Sequence, residues 1–195
     1  MSKLELGPIY AASYSWSDHD TLRRLMAGTP HPLRVAVEVA AGPNLAVARA
    51  LAEIAAGILY VPVDLQERHL RLLTGRAGLL HVSPLLAQAS NLPLDCGCAG
   101  LVIFHHAIDD ICESEGEIGL WRVVSEAVRV LAPQGRMIFC HCVLAYDQAT
   151  RLVSLPQVWS MLRGMGDWRI HQERGRLLDW MVVDGQTCQG RGQHG

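Results

Sequence analysis

Two groups of residues in this 195-residue chain could carry chemistry. The first is the run His105-His106-Ala107-Ile108-Asp109-Asp110. A histidine placed beside a substrate takes a proton from a hydroxyl, amine or thiol near neutral pH. In the plainer alternative one imidazole packs or hydrogen-bonds while the aspartates cap the element that follows. The second group is Cys96 and Cys98, then Cys140, His141 and Cys142. Thiolates and imidazoles suit zinc, but neither C-x-C pair has the C-x₂₋₄-C spacing of a structural zinc site. Alternate residues of a strand share one face, and cysteine inside an apolar strand ordinarily fills the core. The cysteines are therefore read as core residues, and no metal site is assigned.

A third feature is a turn. The stretch "VAVEVAAGPNLAVARALAE", 35–53, reads as a buried strand, a small-residue turn and a helix. Such a turn admits a ligand to the backbone if its side chains are small and amides are free at the helix N-terminus. Ala40, Ala41 and Gly42 meet the steric demand, and Asn44 suits a left-handed conformation or a helix cap. The dinucleotide fingerprint G-x-G-x-x-G does not fit, and a phosphate-binding Gly-Lys-Ser/Thr is missing. Glu38 stands near the end of this strand and Asp64 at the end of the next. Asp64 could accept from a ribose diol or serve as a solvated strand end.

The elements that must position these residues alternate along the chain. "LRVAVEV" (33–39), "ILYVPVD" (58–64), "AGLVIFHH" (99–106) and "RMIFCHCVL" (136–144) are apolar runs of the kind buried on both sheet faces. "LLHVSPLL" (79–86) is a weaker strand in which Pro84 belongs at an end. Helices are expected from Ser17 or Asp18 to Met26, over 44–56, over 65–73, over 119–131 and over 155–164. "DWRIHQERGRLLDWMVVDG" (167–185) reads as an antiparallel hairpin. Alternating strands and helices imply right-handed crossovers and a parallel sheet, with ligands at the carboxyl ends of its strands.

Composition narrows the classes. Half the residues are hydrophobic, yet no run is long and charge-free enough to span a bilayer. The first ten residues lack an apolar signal core, so the protein is read as cytoplasmic. A net charge of −2 with scattered arginines argues against a nucleic-acid partner. Six cysteines in a chain of this length are too few for a disulfide scaffold. Residues 1–185 are expected to form one domain, with 1–30 as a helical or lid segment carrying Tyr10, Tyr14 and Trp16. Residues 186–195 are expected to be a disordered tail.

The order and spacing of these motifs resemble those of the class I S-adenosylmethionine-dependent methyltransferases, from about Leu33 to Gly185. "VEVAAGPN" resembles that family's first motif and "YVPVDLQ" its second-strand acid. "AQASNLPL" is similar to its adenine-binding segment, and "LWRVVSEAVRVLAPQGRMIF" to its helix, Pro-Gly-rich turn and fifth strand. The resemblance implies a three-layer α/β/α sandwich around a mostly parallel, seven-stranded Rossmann-like sheet with an antiparallel C-terminal hairpin. It implies S-adenosyl-L-methionine as cofactor. Glu38 would hold the methionine amino group, with Ala40, Gly42 and Asn44 forming the turn. Asp64 would bind the ribose, Leu65 would pack on the adenine, and Gln88 and Ala89 would meet its edge. Phe104 and His105 would face the methionine end, and His105 and His106 are the candidate catalytic residues. Ala40, Asn44, Gln88 and Gln134 depart from the family's glycines and acid.

The expected function is methyl transfer to a small-molecule acceptor by direct in-line attack, in a chain that could form a homodimer. The absence of an Asn/Asp-Pro-Pro-Tyr or Pro-Cys motif favours a small acceptor over a nucleic acid. The alternatives are a non-catalytic methyltransferase-like partner subunit and a metal-binding protein on the same fold. Loop 145–154 is the further candidate for a substrate wall.

Overall fold

A computed structural model of the chain describes residues 16–29, 32–54, 57–74, 81–142, 155–174 and 178–185. Tyr10, Tyr14, loop 145–154 and the tail from 186 lie outside the described residues, and only the backbone is described for Trp16, Ser17, Asp18, His141, Cys142, Arg174 and Leu178. The elements in chain order are α1 (Trp16–Ala27), β1 (Val35–Val39), α2 (Ala46–Ile54), β2 (Leu59–Asp64), α3 (Glu67–Thr74), β3 (His81–Val82) and β4 (Leu85–Leu86). They continue with β5 (Ala99–His105), α4 (Ile108–Val130), β6 (Leu131–Cys142), α5 (Leu155–Arg163), β7 (Trp168–Arg174) and β8 (Leu178–Gly185).

One sheet runs β3-β2-β1-β5-β6-β8-β7, and β4 also pairs with β2. The strands from β3 to β6 are parallel, and β8 enters antiparallel between β6 and β7. Seven positions result because β3 and β4 share one edge. The single strand expected over 79–86 is split there, since Ser83-Pro84 interrupts pairing that proline cannot sustain.

Strict alternation sorts the buried strand residues into two cores. Val37, Val39, Val102, Phe104, Met137 and Phe139 pack toward α4 and α5. Ala36, Tyr60, Leu101, Ile103, Cys140 and Trp180 pack toward α1 and α2. Glu38, between Val37 and Val39, shares the α1–α2 face. α4 begins eleven residues before the expected 119 and continues through a break at Gly116, where φ is 71°. Its first turn buries Ile108, Ile111 and Cys112, an i, i+3, i+4 set that binds an otherwise acidic segment to the core. Among the described residues no helix is long and apolar enough to cross a membrane.

Two arginines tie connections to this frame. Arg129 on α4 donates to Glu126 at 2.8 Å and to the carbonyls of Leu92 and Leu94 at 2.8 Å, while the Leu92 N–H donates to Glu126 at 2.9 Å. These bonds hold the segment that leads into β5. Arg136 on β6 forms a two-pronged pair with Asp184 on β8 at 2.6 and 3.0 Å and donates to the Leu25 carbonyl of α1 at 2.7 Å. Arg129→Ala strands two carbonyls and a carboxylate and is expected to cost about 2 kcal/mol by chemical denaturation. Arg129→Lys should recover little of that, because an ammonium cannot reproduce the planar fork.

Two departures from the glycines of the resemblance sit where glycine is most useful. Ala40 has φ of 52° and Gln134 φ of 66°, a conformation in which a Cβ costs about 1–2 kcal/mol. Gln134→Gly is therefore expected to raise stability by roughly 0.5–1 kcal/mol after the added freedom of the unfolded chain is counted. A melting temperature unchanged or lowered would contradict that assignment of strain.

Candidate functional site

The carboxyl ends of β1, β2, β5 and β6 lie side by side, and the sequence candidates gather there. β1 ends in Glu38-Val39, and the chain then turns through two left-handed residues, Ala40 and Gly42. The turn is bound to the end of β2: the Ala41 N–H donates to the Val63 carbonyl at 2.9 Å and the Gly42 N–H to Asp64 Oδ2 at 2.8 Å. The expectation of free amides thus fails at these two positions. A Cβ built on Gly42 would meet nothing within 4 Å; the glycine serves the φ of 60° and leaves open space beside the turn. Asn44 Oδ1 accepts from the Ala46 N–H at 2.9 Å and caps α2. Its Nδ2 is buried without a hydrogen-bond partner among the described residues.

Glu38 is fully buried on the α1–α2 face. The Tyr60 hydroxyl donates to its Oε2, and its Oε1 is buried without a partner among the described residues. Burial pushes the Glu38 carboxyl up to about 8, opposed by the Tyr60 hydrogen bond and reinforced by the charge of Asp64. Tyr60 is raised in turn by burial and by Glu38. Tyr60 did not stand out in the sequence. The register explains its role: Glu38 pairs with Pro62, so Tyr60, two residues earlier, shares its face.

Asp64 is almost buried and joins three segments. Besides the Gly42 N–H, it accepts from the Gln66 N–H at 2.7 Å and lies 3.3 Å from His69 Nδ1. A carboxylate offers about four acceptor positions, so one remains for a hydroxyl of a ligand. The neighbouring Leu65 is two-thirds exposed, an apolar side chain beside the open end of β2. The Ala87 N–H donates to the Asp64 carbonyl at 3.2 Å and sets the turn that follows, in which the Asn91 N–H donates to the Gln88 carbonyl at 3.0 Å. Gln88 is exposed and Ala89 buried there.

β5 ends in the histidines, and the alternation of the strand separates its two candidates. Phe104 points to the α4–α5 face, fully buried and stacked on Phe139 with ring centroids 4.6 Å apart. Its side chain therefore does not face the methionine end as expected; it is a core residue. His105 points to the opposite face with Glu38 and Cys140. It lies 4.5 Å from the His106 ring and 6.5 Å from that of Trp180, centroid to centroid. Burial, with the neighbouring His106, holds its pKa well below the usual histidine range, so it is a neutral imidazole. His106 is half-buried, has φ of 59°, and donates its N–H to the Cys140 carbonyl at 3.1 Å. Cys140 pairs with His105 across β5 and β6, and its sulfur is 3.9 Å from His106 Nε2. The two cysteine pairs are not neighbours: Cys96 and Cys98 precede β5 at the opposite end of the sheet.

No family profile and no curated protein sequence matches the chain. Solved structures do. A SAM-dependent methyltransferase from Aquifex aeolicus superposes with a TM-score of 0.65 at 14% identity, covering 88% of this chain and 98% of that one. The N-methyltransferase NodS from Bradyrhizobium japonicum gives 0.68 at 14% identity, with 94% and 99% covered. An O-methyltransferase family protein from Burkholderia thailandensis gives 0.71 at 12% identity, covering 89% of this chain and 56% of that one. At such identities the likeness is one of architecture, and it agrees with the strand order and the inserted antiparallel β8. The chain has the class I methyltransferase fold.

Proposed function

We propose that the protein is an S-adenosylmethionine-dependent methyltransferase that acts on a small-molecule acceptor by direct in-line transfer. The observation that supports it most is the pair of buried polar atoms, without partners among the described residues, that bracket the Gly42 turn: the acceptor Glu38 Oε1 and the donor Asn44 Nδ2. A ligand carrying an ammonium and a carboxylate on one carbon answers both. The residues along the strand ends suit the rest of that ligand, with an acceptor position on Asp64 for a hydroxyl and exposed Leu65 for a flat apolar ring. When bound, S-adenosylmethionine supplies a methyl group already activated by the sulfonium. The chain's own task is to orient and to exclude water, a task that suits Glu38 and Asp64 at their strand ends and Asn44 at the start of α2.

A second reading is favoured by the engaged amides of Ala41 and Gly42. Here the same fold serves as a non-catalytic partner subunit. Calorimetric titration with S-adenosylmethionine and with its demethylated product separates the two. Micromolar binding of both supports the enzyme, whereas no heat at millimolar ligand leaves the partner subunit.

A further inference from the structure

One cluster at the strand ends is not used by that reading. His105, His106 and Cys140 each offer one donor atom, and the three atoms lie within 4.8 Å of one another. We propose that they form a site for a soft divalent cation, zinc above all, with two imidazole nitrogens and one thiolate as ligands.

The geometry is close to what the ion requires. Donor atoms on one tetrahedral zinc lie roughly 3.3–3.8 Å apart for Zn–N and Zn–S bonds of about 2.0–2.3 Å. The Cys140 sulfur is already 3.9 Å from His106 Nε2, and with all three atoms within 4.8 Å of one another, closing the separations by up to about 1.5 Å completes the set. The backbone holds the ligands together. His105 and Cys140 are register partners on adjacent strands, and the His106 N–H is fixed to the Cys140 carbonyl. His106 also occupies a left-handed conformation that few residues other than glycine adopt, and that turn brings its ring back over β6 beside the sulfur. Such a local cost is common where the surrounding structure positions a functional side chain.

The sequence argues against this site through ligand spacing and through the habit of cysteine in an apolar strand to fill the core. Spacing does not bear on ligands drawn from two strands, and the buried Cys140 sulfur has two imidazoles beside it. Sequence-adjacent His105 and His106 share a site because the strand ends between them. Cys140 and His105 are nearly buried while His106 is half-buried, so solvent has access from one side. Three protein ligands leave the fourth position of a tetrahedral ion for water or a donor atom of a substrate, as in catalytic zinc sites. Binding displaces the thiol proton to solvent, and the imidazoles ligate as neutral bases.

The test is a titration of the reduced, chelator-treated chain with Co²⁺, followed by Zn²⁺. One equivalent of Co²⁺ should give a thiolate-to-cobalt charge-transfer band with intense tetrahedral d–d absorption, and Zn²⁺ should bleach both. X-ray absorption of the zinc form should count one sulfur and at least two imidazole nitrogens. Cys140→Ser should abolish the charge-transfer band, and His106→Gln, at a half-buried position, should weaken binding at least tenfold. Cys96→Ser and Cys98→Ser should change neither. A band that survives Cys140→Ser, a band lost only in Cys142→Ser, or zinc without sulfur in its shell would overturn the proposal. If Cys140→Ser does not fold, the absorption spectra of the wild type and His106→Gln still decide it. None of these readings depends on S-adenosylmethionine binding.

Discussion

Glu38→Gln is expected to make the protein more stable and a poorer binder of S-adenosylmethionine. The carboxyl titrates at about 8 in the folded chain against an ordinary 4.5, chiefly because it is buried. A raised acid pKa means that the folded state keeps a proton the unfolded state has lost. Its effect on stability is therefore absent below pH 4.5, grows as pH rises from there, and levels off above about 8. The loss across that window is several kcal/mol, about 3–5 after allowance for relaxation around the charge. Glutamine has nearly the same shape, accepts from Tyr60 and never ionises, so the variant should lack this decline. The variant should keep only the rise toward pH 6.5 that neutral, buried His105 imposes, so the denaturant midpoint of the wild type relative to the variant should fall steadily across the window. Parallel curves for the two proteins would remove Glu38 as the source.

Under the proposed function the same group makes binding depend on pH in the opposite direction. A cationic ammonium favours the ionised carboxylate, so binding expels the Glu38 proton wherever the free protein still holds it. Affinity in the wild type should rise with pH up to about 8, with up to one proton released per ligand. Calorimetry in buffers of different ionisation enthalpy reads that proton directly. In Glu38→Gln the charge-assisted hydrogen bond, worth about 1.5–3 kcal/mol, is gone. Affinity should fall roughly tenfold to a hundredfold, and proton release should vanish.

How much of this could be read from residues alone follows from where the information lies. The buried strands announce themselves as continuous apolar runs, so the parallel sheet, the hairpin and the ends that carry Glu38, Asp64 and His105 are legible. α4 is legible only in part: its segment before Gly116 carries "IDDICESE", whose three buried residues are too few to outweigh the acids. Side-chain partnerships across strands are not legible, because they depend on register. Glu38 finds Tyr60 through a diagonal relation and His106 finds Cys140 through a strand pairing. Phe104 belongs to the core rather than the site for a related reason: adjacent residues at a strand end point to opposite faces, so it and His105 cannot both line one cleft.

Asp64 is the other position where a single change should have large consequences, and its two oxygens make the roles separable. Asp64→Ala removes the acceptor for the Gly42 N–H, the Gln66 N–H and His69 together. Part-buried amides left unpaired should cost about 2 kcal/mol of stability, and the Gly42 turn keeps only the Ala41-to-Val63 bond as its tie to β2. Cofactor affinity should fall by about a hundredfold or more, roughly 2.7 kcal/mol. Asp64→Asn tests charge apart from shape. An amide can accept from one of the two N–H groups but presents a donor to the other, so part of the loss should remain. The negative charge of Asp64 helps to raise the Glu38 pKa, and its removal should lower that pKa. The pH window over which the protein loses stability then shortens from its upper end, since the folded-state pKa sets that limit. Asp64→Asn should thus be less stable than the wild type near pH 4.5 and lose less on going to about pH 8. In the double variant with Glu38→Gln this difference in slope should disappear, because no titrating partner is left to report the charge. A slope unchanged in Asp64→Asn would show that the two carboxyls act independently, and that the turn is held by hydrogen bonds alone.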